Sequence, residues 1–271
     1  MDPLVTRPIK SDFFDENSQT LLTWLGMAGA LVNVRGTIIL IDPLLTMSVT
    51  DGRNLCEGEH PPKLPLPIEA KDIPRLDAVL YTHADFDHFG PLTAQVLADR
   101  FDPRFIAPGP VVAQLRDQGV AEERITQVRE DDAFQLGAAM ILVTPALHDW
   151  QEQDPWQLSD CCGYLIRTPD GSIWHPGDTR LIPALLEIKE VDLFFFDVAD
   201  VDAHLGPQGS AQLAESCGAK VMLAYHYGTF DLPPGSYGSC DPDDSLVYIE
   251  HLDAEFLKPD PGEVLYLPID R

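Results

Sequence analysis

Between Thr82 and Gly90 the chain reads Thr-His-Ala-Asp-Phe-Asp-His-Phe-Gly, so His83, Asp85, Asp87 and His88 put four metal-ligand side chains into six positions. Imidazole and carboxylate are the common nitrogen and oxygen donors to divalent transition metals, and a cluster this dense in both suits two adjacent ions. Three later residues share one context, a ligand type at the end of an apolar run. His148 follows MILVTPAL, Asp178 follows SIWHPG and His226 follows KVMLAY. Taken singly, a strand-end His or Asp is more often a turn or cap residue; the shared context gives the seven their weight. His204, in DAHLGP before an expected helix, is a candidate for binding substrate or protonating a leaving group. His175, just ahead of Pro-Gly-Asp, is expected to support Asp178 without binding metal. Trp150, Arg180, Tyr227 and the Pro-rich loop are weaker candidates for lining a pocket, against a plain reading of packing or surface. His60 and His251 have no supporting context.

Such residues converge only if the strands that carry them end at one edge, as they do in layered α/β folds. Apolar runs broken by Gly26, Gly29 and Gly36 predict a meander of strands at 21–27, 31–34 and 37–42. Residues 43–75 read as one long connection, with PPKLPLP at 61–67 excluding a central strand or helix interior. Strand and helix then alternate: a buried strand at 76–82, a Pro-started helix at 91–100, a strand at 105–107 and a helix at 110–118 ending at Gly119. Further strands are expected at 125–128, 133–136, 139–147, 163–168, 172–175, 191–198 and 220–225. Helices are expected at 180–188 and 207–217, with a final helix and strand near 243–256 and 263–269. Two sheets covered by helices follow, a four-layer α/β arrangement, with no linker dividing residues 1–271.

Composition limits the partners. The chain has 18 Lys and Arg against 44 Asp and Glu, a formal net charge of −26, which repels polyphosphates and anionic membranes. Nucleic acid is therefore an unfavoured partner. No apolar stretch reaches the roughly 18 residues of a membrane span. The start lacks an apolar segment behind a basic one, so the chain is expected in the cytoplasm. Five cysteines without a C-x-x-C argue against a disulfide framework or a zinc ribbon, and Cys161-Cys162 reads as packing at a strand start.

The motifs resemble those of the metallo-β-lactamase superfamily over nearly the whole chain. Its H-x-H-x-D-H motif stands here as HADFDH, with Asp85 in place of the second histidine. His148, Asp178 of HPGDT and His226 of AYHYGTF match the later metal residues, and TWLGMAGALVNVRGTIILIDPLL looks like the opening strands. Within the superfamily, the WLG, GYLI-RTPDGS-IWHPGDT and HYGTF segments are similar to the L-ascorbate-6-phosphate lactonase branch, which is associated with manganese. The resemblance implies an αββα sandwich. It implies one metal at His83, Asp85 and His148, a second at Asp87, His88 and His226, and Asp178 bridging them with a water. The carboxylate at Asp85 makes the first position harder and more anionic, which favours Mn²⁺ or Fe²⁺ over Zn²⁺. Two divalent ions, Mn²⁺ favoured and Zn²⁺ able to substitute, are the expected cofactors. A bound hydroxide is the implied nucleophile, with Asp87 or Asp178 orienting it and His204 near the leaving group.

The expected activity is hydrolysis of a small ester, a lactone first and a sugar-phosphate lactone within that class. A phosphodiesterase or ribonuclease of the same fold and a non-catalytic metal-binding scaffold are the alternatives. The acidic surface disfavours the nuclease, and the full ligand set speaks against the scaffold. Homo-oligomerisation is left open.

Overall fold

The computed structural model describes residues 3–269. In the first half, strands β1 (Thr20–Gly26), β2 (Gly29–Val34) and β3 (Thr37–Ile41) form the expected antiparallel meander. A small hairpin follows, β4 (Met47–Thr50) with β5 (Arg53–Cys56), and then β6 (Ala78–Leu80), helix α1 (Pro91–Arg100), β7 (Arg104–Ala107), helix α2 (Gly109–Asp117) and β8 (Ile125–Gln127). The second half holds β9 (Ala133–Leu136), β10 (Ala139–Pro145), β11 (Cys162–Thr168), β12 (Gly171–His175), β13 (Leu193–Asp197), helix α3 (Gly206–Cys217) and β14 (Val221–Tyr225). A short helix α4 (Leu246–Ile249), β15 (Glu255–Leu257) and β16 (Val264–Leu267) complete it.

The strands build two seven-stranded sheets, in the orders β16-β1-β2-β3-β6-β7-β8 and β15-β14-β13-β12-β11-β10-β9. Side chains alternate across the first sheet, as a period of two requires. Leu22, Trp24, Val32, Ile39 and Ile41 face the core between the sheets, whereas Leu21, Leu25, Leu31, Ile38 and Leu40 pack with Leu97, Val111 and Leu115 of the covering helices. Leu213 and Ala214 of α3 pack on the second sheet beside Phe194 and Phe196. Both sheets are therefore covered on each face, giving the helix, sheet, sheet, helix order of an αββα sandwich. No helix among the described residues is long and apolar enough to cross a membrane.

Parallel pairing does the positioning. β3, β6 and β7 run parallel in one sheet, and β12, β13 and β14 in the other. β10 points the same way as β12, because both lie antiparallel to β11. The segments after β3, β6, β10, β12, β13 and β14 accordingly leave along one edge of the sandwich.

Three stretches differ from the sequence expectation. Residues 43–75 contain the β4–β5 hairpin, turned at Asp51-Gly52 with positive φ at both, the Asp-Gly signal that the neighbouring prolines overshadowed. Residues 180–188 hold only a 3₁₀ segment, Pro183–Glu187, because one tight turn suffices before the chain enters β13. The expected final helix is a 3₁₀ turn, Pro242–Ser245, running into four-residue α4, and β15 takes the rest. Cys161 and Cys162 are buried at the start of β11, as expected.

Candidate metal centre

The loop after β6 is a compact turn. His88 and Phe89 both donate their backbone N–H to the Asp85 carbonyl, at 2.9 and 2.7 Å, which draws His83, Asp85, Asp87 and His88 to one side. Glu57 anchors the far end: its carboxylate accepts from the Leu92 and Thr93 amides and the Thr93 hydroxyl at the start of α1. Gly90 has no side chain because a Cβ there would lie 2.7 Å from the Glu57 carboxyl carbon. Gly177, at φ +66, turns the chain between His175 and Asp178; a Cβ there would meet the Cys162 carbonyl at 2.7 Å.

All seven ligand candidates meet at the sandwich edge. Three overlapping groups have donor atoms within 4.8 Å of one another: Asp87, His88, Asp178 and His226; His83, His148 and Asp178; and Asp178, Asp197, His204 and His226. Asp178 is common to all three. Asp85 joins through its Oδ2, 3.0 Å from His148 Nε2 and 3.6 Å from His83 Nε2, and also accepts from the Trp150 indole at 2.8 Å.

The hydrogen-bond network fixes which imidazole nitrogen carries the proton. His88 Nδ1 donates to Asp42 at 2.7 Å, and His226 Nδ1 to Asp197 at 3.0 Å. His148 Nδ1 donates to the Ala203 carbonyl at 3.0 Å. The Thr82 hydroxyl already donates to Asp42 at 2.6 Å, so it accepts from His83 Nδ1 at 2.9 Å. With each Nδ1 engaged, the four Nε2 atoms point inward. Those of His88 and His226 face each other at 3.3 Å, and His148 Nε2 faces a carboxylate. His83 Nε2 and Asp178 Oδ1 are buried with no hydrogen-bond partner. Ring nitrogens converging in this way are unfavourable unless protons or a cation sit among them. The donor set therefore fits divalent metal.

The charges agree. Burial pushes Asp178 upward, yet His204, His226 and His88 hold it well below the carboxylate range. Asp85 is likewise held low against its burial, by His148 and His83. Burial pushes His88 down, but Asp178, Asp42 and Asp87 outweigh it and hold it well above an ordinary histidine. Burial, with His88 beside it, lowers His83. Metal-free, the acids thus recruit protons onto some of the imidazoles, the places a divalent cation would otherwise take.

His204, at the turn before α3, reaches the same centre. Its Nε2 lies 3.4 Å from Asp178 Oδ2 and its Nδ1 3.0 Å from Asp197 Oδ2. Against burial, Asp178 and Asp197 lift His204 to about 9. Sequence reasoning missed Asp42 and Asp197, which orient His88, His226 and His204 from the ends of β3 and β13. It also missed Phe86 and Tyr237, which with Trp150 and Val201 wall a cavity of about 280 Å³ over the centre. Tyr227, expected near a pocket, instead stacks on Trp24 at 4.8 Å and donates to the Pro259 carbonyl. The Pro-rich run 61–67 does not line this cavity; it bridges to Phe230 through Pro62.

His175 supports the Asp178 turn, as its sequence position implied. Its Nε2 donates to the Ala28 carbonyl at 2.9 Å, and its Nδ1 accepts from the Gly177 amide at 3.2 Å. Burial depresses it to about 4. Between roughly pH 6.5 and 4 the unfolded chain takes up a proton here that the folded chain does not, so this stability is full above 6.5 and falls as pH drops. The loss amounts to about 3 kcal/mol across that window. Denaturant unfolding of chelated protein at pH 7 and 4.5 should show a shallower acid slope for His175→Gln than for the unchanged chain; equal slopes would exclude the assignment.

Comparison with known proteins agrees with this architecture. Residues 37–227 match the Beta-lactamase superfamily domain. Over 245 residues the chain is 26% identical to a UPF0173 metal-dependent hydrolase of Koribacter versatilis, covering 88% of this chain and 95% of that one. In fold it is similar to Igni18, a metallo hydrolase from the hyperthermophilic archaeon Ignicoccus hospitalis, with a TM-score of 0.70 and 20% identity over 93% of this chain and 100% of the other. The isothiocyanate hydrolase from Delia radicum gut bacteria also has a TM-score of 0.70, at 19% identity over 90% and 98% of the two chains.

Proposed function

The chain belongs to the metallo-β-lactamase superfamily of metal-dependent hydrolases, and from that premise we propose that it hydrolyses a small ester, a lactone first, at a centre of two divalent ions. In this reading His83, Asp85 and His148 hold one ion, Asp87, His88 and His226 the other, and Asp178 joins them. The observation that carries it is the convergence of four imidazole Nε2 atoms around Asp178, with His83 Nε2 and Asp178 Oδ1 buried and without a hydrogen-bond partner. Mn²⁺ is favoured over Zn²⁺, because three carboxylates make the donor set hard and anionic.

Bound metal would supply Lewis-acid polarisation of the carbonyl and a lowered pKa for water. The protein does the rest. Asp42 and Asp197 hold the imidazoles in one tautomer and one orientation. Asp87, 5% exposed, is placed to orient the attacking water by accepting its hydrogen bond. His204 Nε2, beside Asp178 and opening on the cavity, is placed to give a proton to the leaving oxygen. Phe86, Trp150 and Tyr237 restrict bulk water above the reacting atoms.

The test is metal quantification on protein loaded separately with Mn²⁺ and Zn²⁺, followed by a panel of lactones, aryl esters, phosphodiesters and an isothiocyanate. About two ions per chain, with lactone or ester turnover faster in the Mn²⁺ form, is the expected result. Stoichiometric metal with no turnover of any panel member would overturn the hydrolytic reading.

A further inference from the structure

Among the described residues the guanidinium beside the cavity, that of Arg180, is already engaged. Arg180 Nε lies 2.5 Å from Asp149 Oδ1, and its Nη1 and Nη2 pair with both oxygens of Asp202 at 2.6 and 3.1 Å. Asp202 lines the cavity, and among the described residues no lysine or arginine does. One cation against two carboxylates leaves this rim a net unit negative. Away from Asp85, Asp87, His148, Asp178 and His204 at its floor, the wall is apolar: Phe86 is 46% and Trp150 48% exposed, Val201 lies beside them, and Tyr237 meets Phe86 edge-on at 5.9 Å. The Trp150 ring is fixed in place by its bond to Asp85. A space of about 280 Å³ lies at the small end of ligand pockets, which suits a body of aromatic-ring size.

We propose that the site selects substrates whose non-reacting part is uncharged and apolar, of aromatic-ring size, and that the Asp149–Arg180–Asp202 cluster excludes phosphate- or carboxylate-bearing ones. This rests on the hydrolytic reading above for the position of the reacting group. A phosphate on the substrate body would need a free cation to replace its lost water, and Arg180 cannot turn to it without abandoning two carboxylates. An aromatic body instead covers Phe86, Trp150 and Tyr237 and removes their exposed surface from water. The charge on the rim is therefore a device of selectivity: a distal anion is repelled while the metal-seeking end of the same molecule is attracted.

The experiment separates the two readings by using ligands with one common metal-binding head. Benzohydroxamate and its 4-carboxy derivative are titrated by calorimetry into Mn²⁺-loaded protein, unchanged and as Asp202→Asn and Asp149→Asn/Asp202→Asn. The neutral ligand should bind at least tenfold tighter to the unchanged protein. The preference should shrink by about fivefold for each carboxylate removed, the scale of one charge acting across a partly solvated gap. Equal or tighter binding of the carboxylated ligand to the unchanged protein would overturn the proposal, and so would a preference indifferent to both variants. The same pair as methyl esters, methyl benzoate and its 4-carboxy analogue, should repeat the order in kcat/KM. Graded binding without turnover would leave the selectivity standing and remove the hydrolytic reading instead.

Discussion

On the proposed two-ion reading, Asp178→Asn is expected to lower ester turnover by at least about 10³-fold and to take bound metal from two ions per chain to one or none. Asp178 is 1% exposed, and its two oxygens together lie within 4 Å of His83, His88, His204 and His226. Among the described residues no other belongs to all three donor groups. Asparagine has the same shape, so packing is kept, but one oxygen becomes an NH₂ that cannot coordinate a cation and the negative charge is gone. The variant also gives up the buried ion pairs of Asp178 with His88 and His204, so each protein is compared with its own metal-free form. The signature is therefore a contrast. Unchanged protein gains thermal stability when Mn²⁺ is added, about 4 kcal/mol at a thousandfold excess over Kd, and the variant gains little. A variant that retains two ions and turnover within tenfold of the original would remove Asp178 from its joining role.

Much of this centre could be read from the sequence for a local reason. His83, Asp85, Asp87 and His88 sit in one turn, and His148, Asp178 and His226 each follow an apolar run that could only be a buried strand. The meander of β1 to β3 was legible from its glycines, and α1 and α2 from their prolines. Asp42 and Asp197 were not, although ILID and FFFD present the same strand-end context as the ligands. Their role comes from pairing: Asp42 stands beside Thr82 because β3 lies parallel to β6, and Asp197 beside His226 because β13 lies parallel to β14. Sequence order separates the members of each pair by tens of residues, and no local pattern announces the contact. Tyr237 and Phe86 face each other for a similar reason, since only the closed sandwich brings the loop after β14 over the turn after β6. Arg180 was visible as a cation near a motif, but its engagement by Asp149 and Asp202 was not. That engagement turns it from a candidate pocket-lining cation into part of a negative rim.

Asp197→Asn should divide two functions that one carboxylate now serves. Its Oδ1 takes the proton of His226 and its Oδ2 that of His204, each at 3.0 Å, and Oδ1 also accepts the Ala199 amide. His204, contributing most, and His226 hold this fully buried carboxylate near 2 against its burial. In asparagine one of the two oxygens becomes a donor, and it faces a ring nitrogen that already carries hydrogen. That ring must flip or move its proton to Nε2, where the inward lone pair is lost. His226 is held with φ at +64, in the left-handed region that ordinary side chains avoid, so its backbone has little freedom to compensate. The retained Ala199 contact favours oxygen at the Oδ1 position, which keeps the His226 bond and places the NH₂ against His204. The expected result is thus a fall in kcat of about 10 to 100-fold, with metal content nearly preserved. Asp197→Ala releases both rings and should lose the second ion as well. Metal affinity and kcat measured on the two variants decide the matter: metal loss already in the asparagine variant would assign the NH₂ to His226, and wild-type values in both variants would remove Asp197 from the centre altogether.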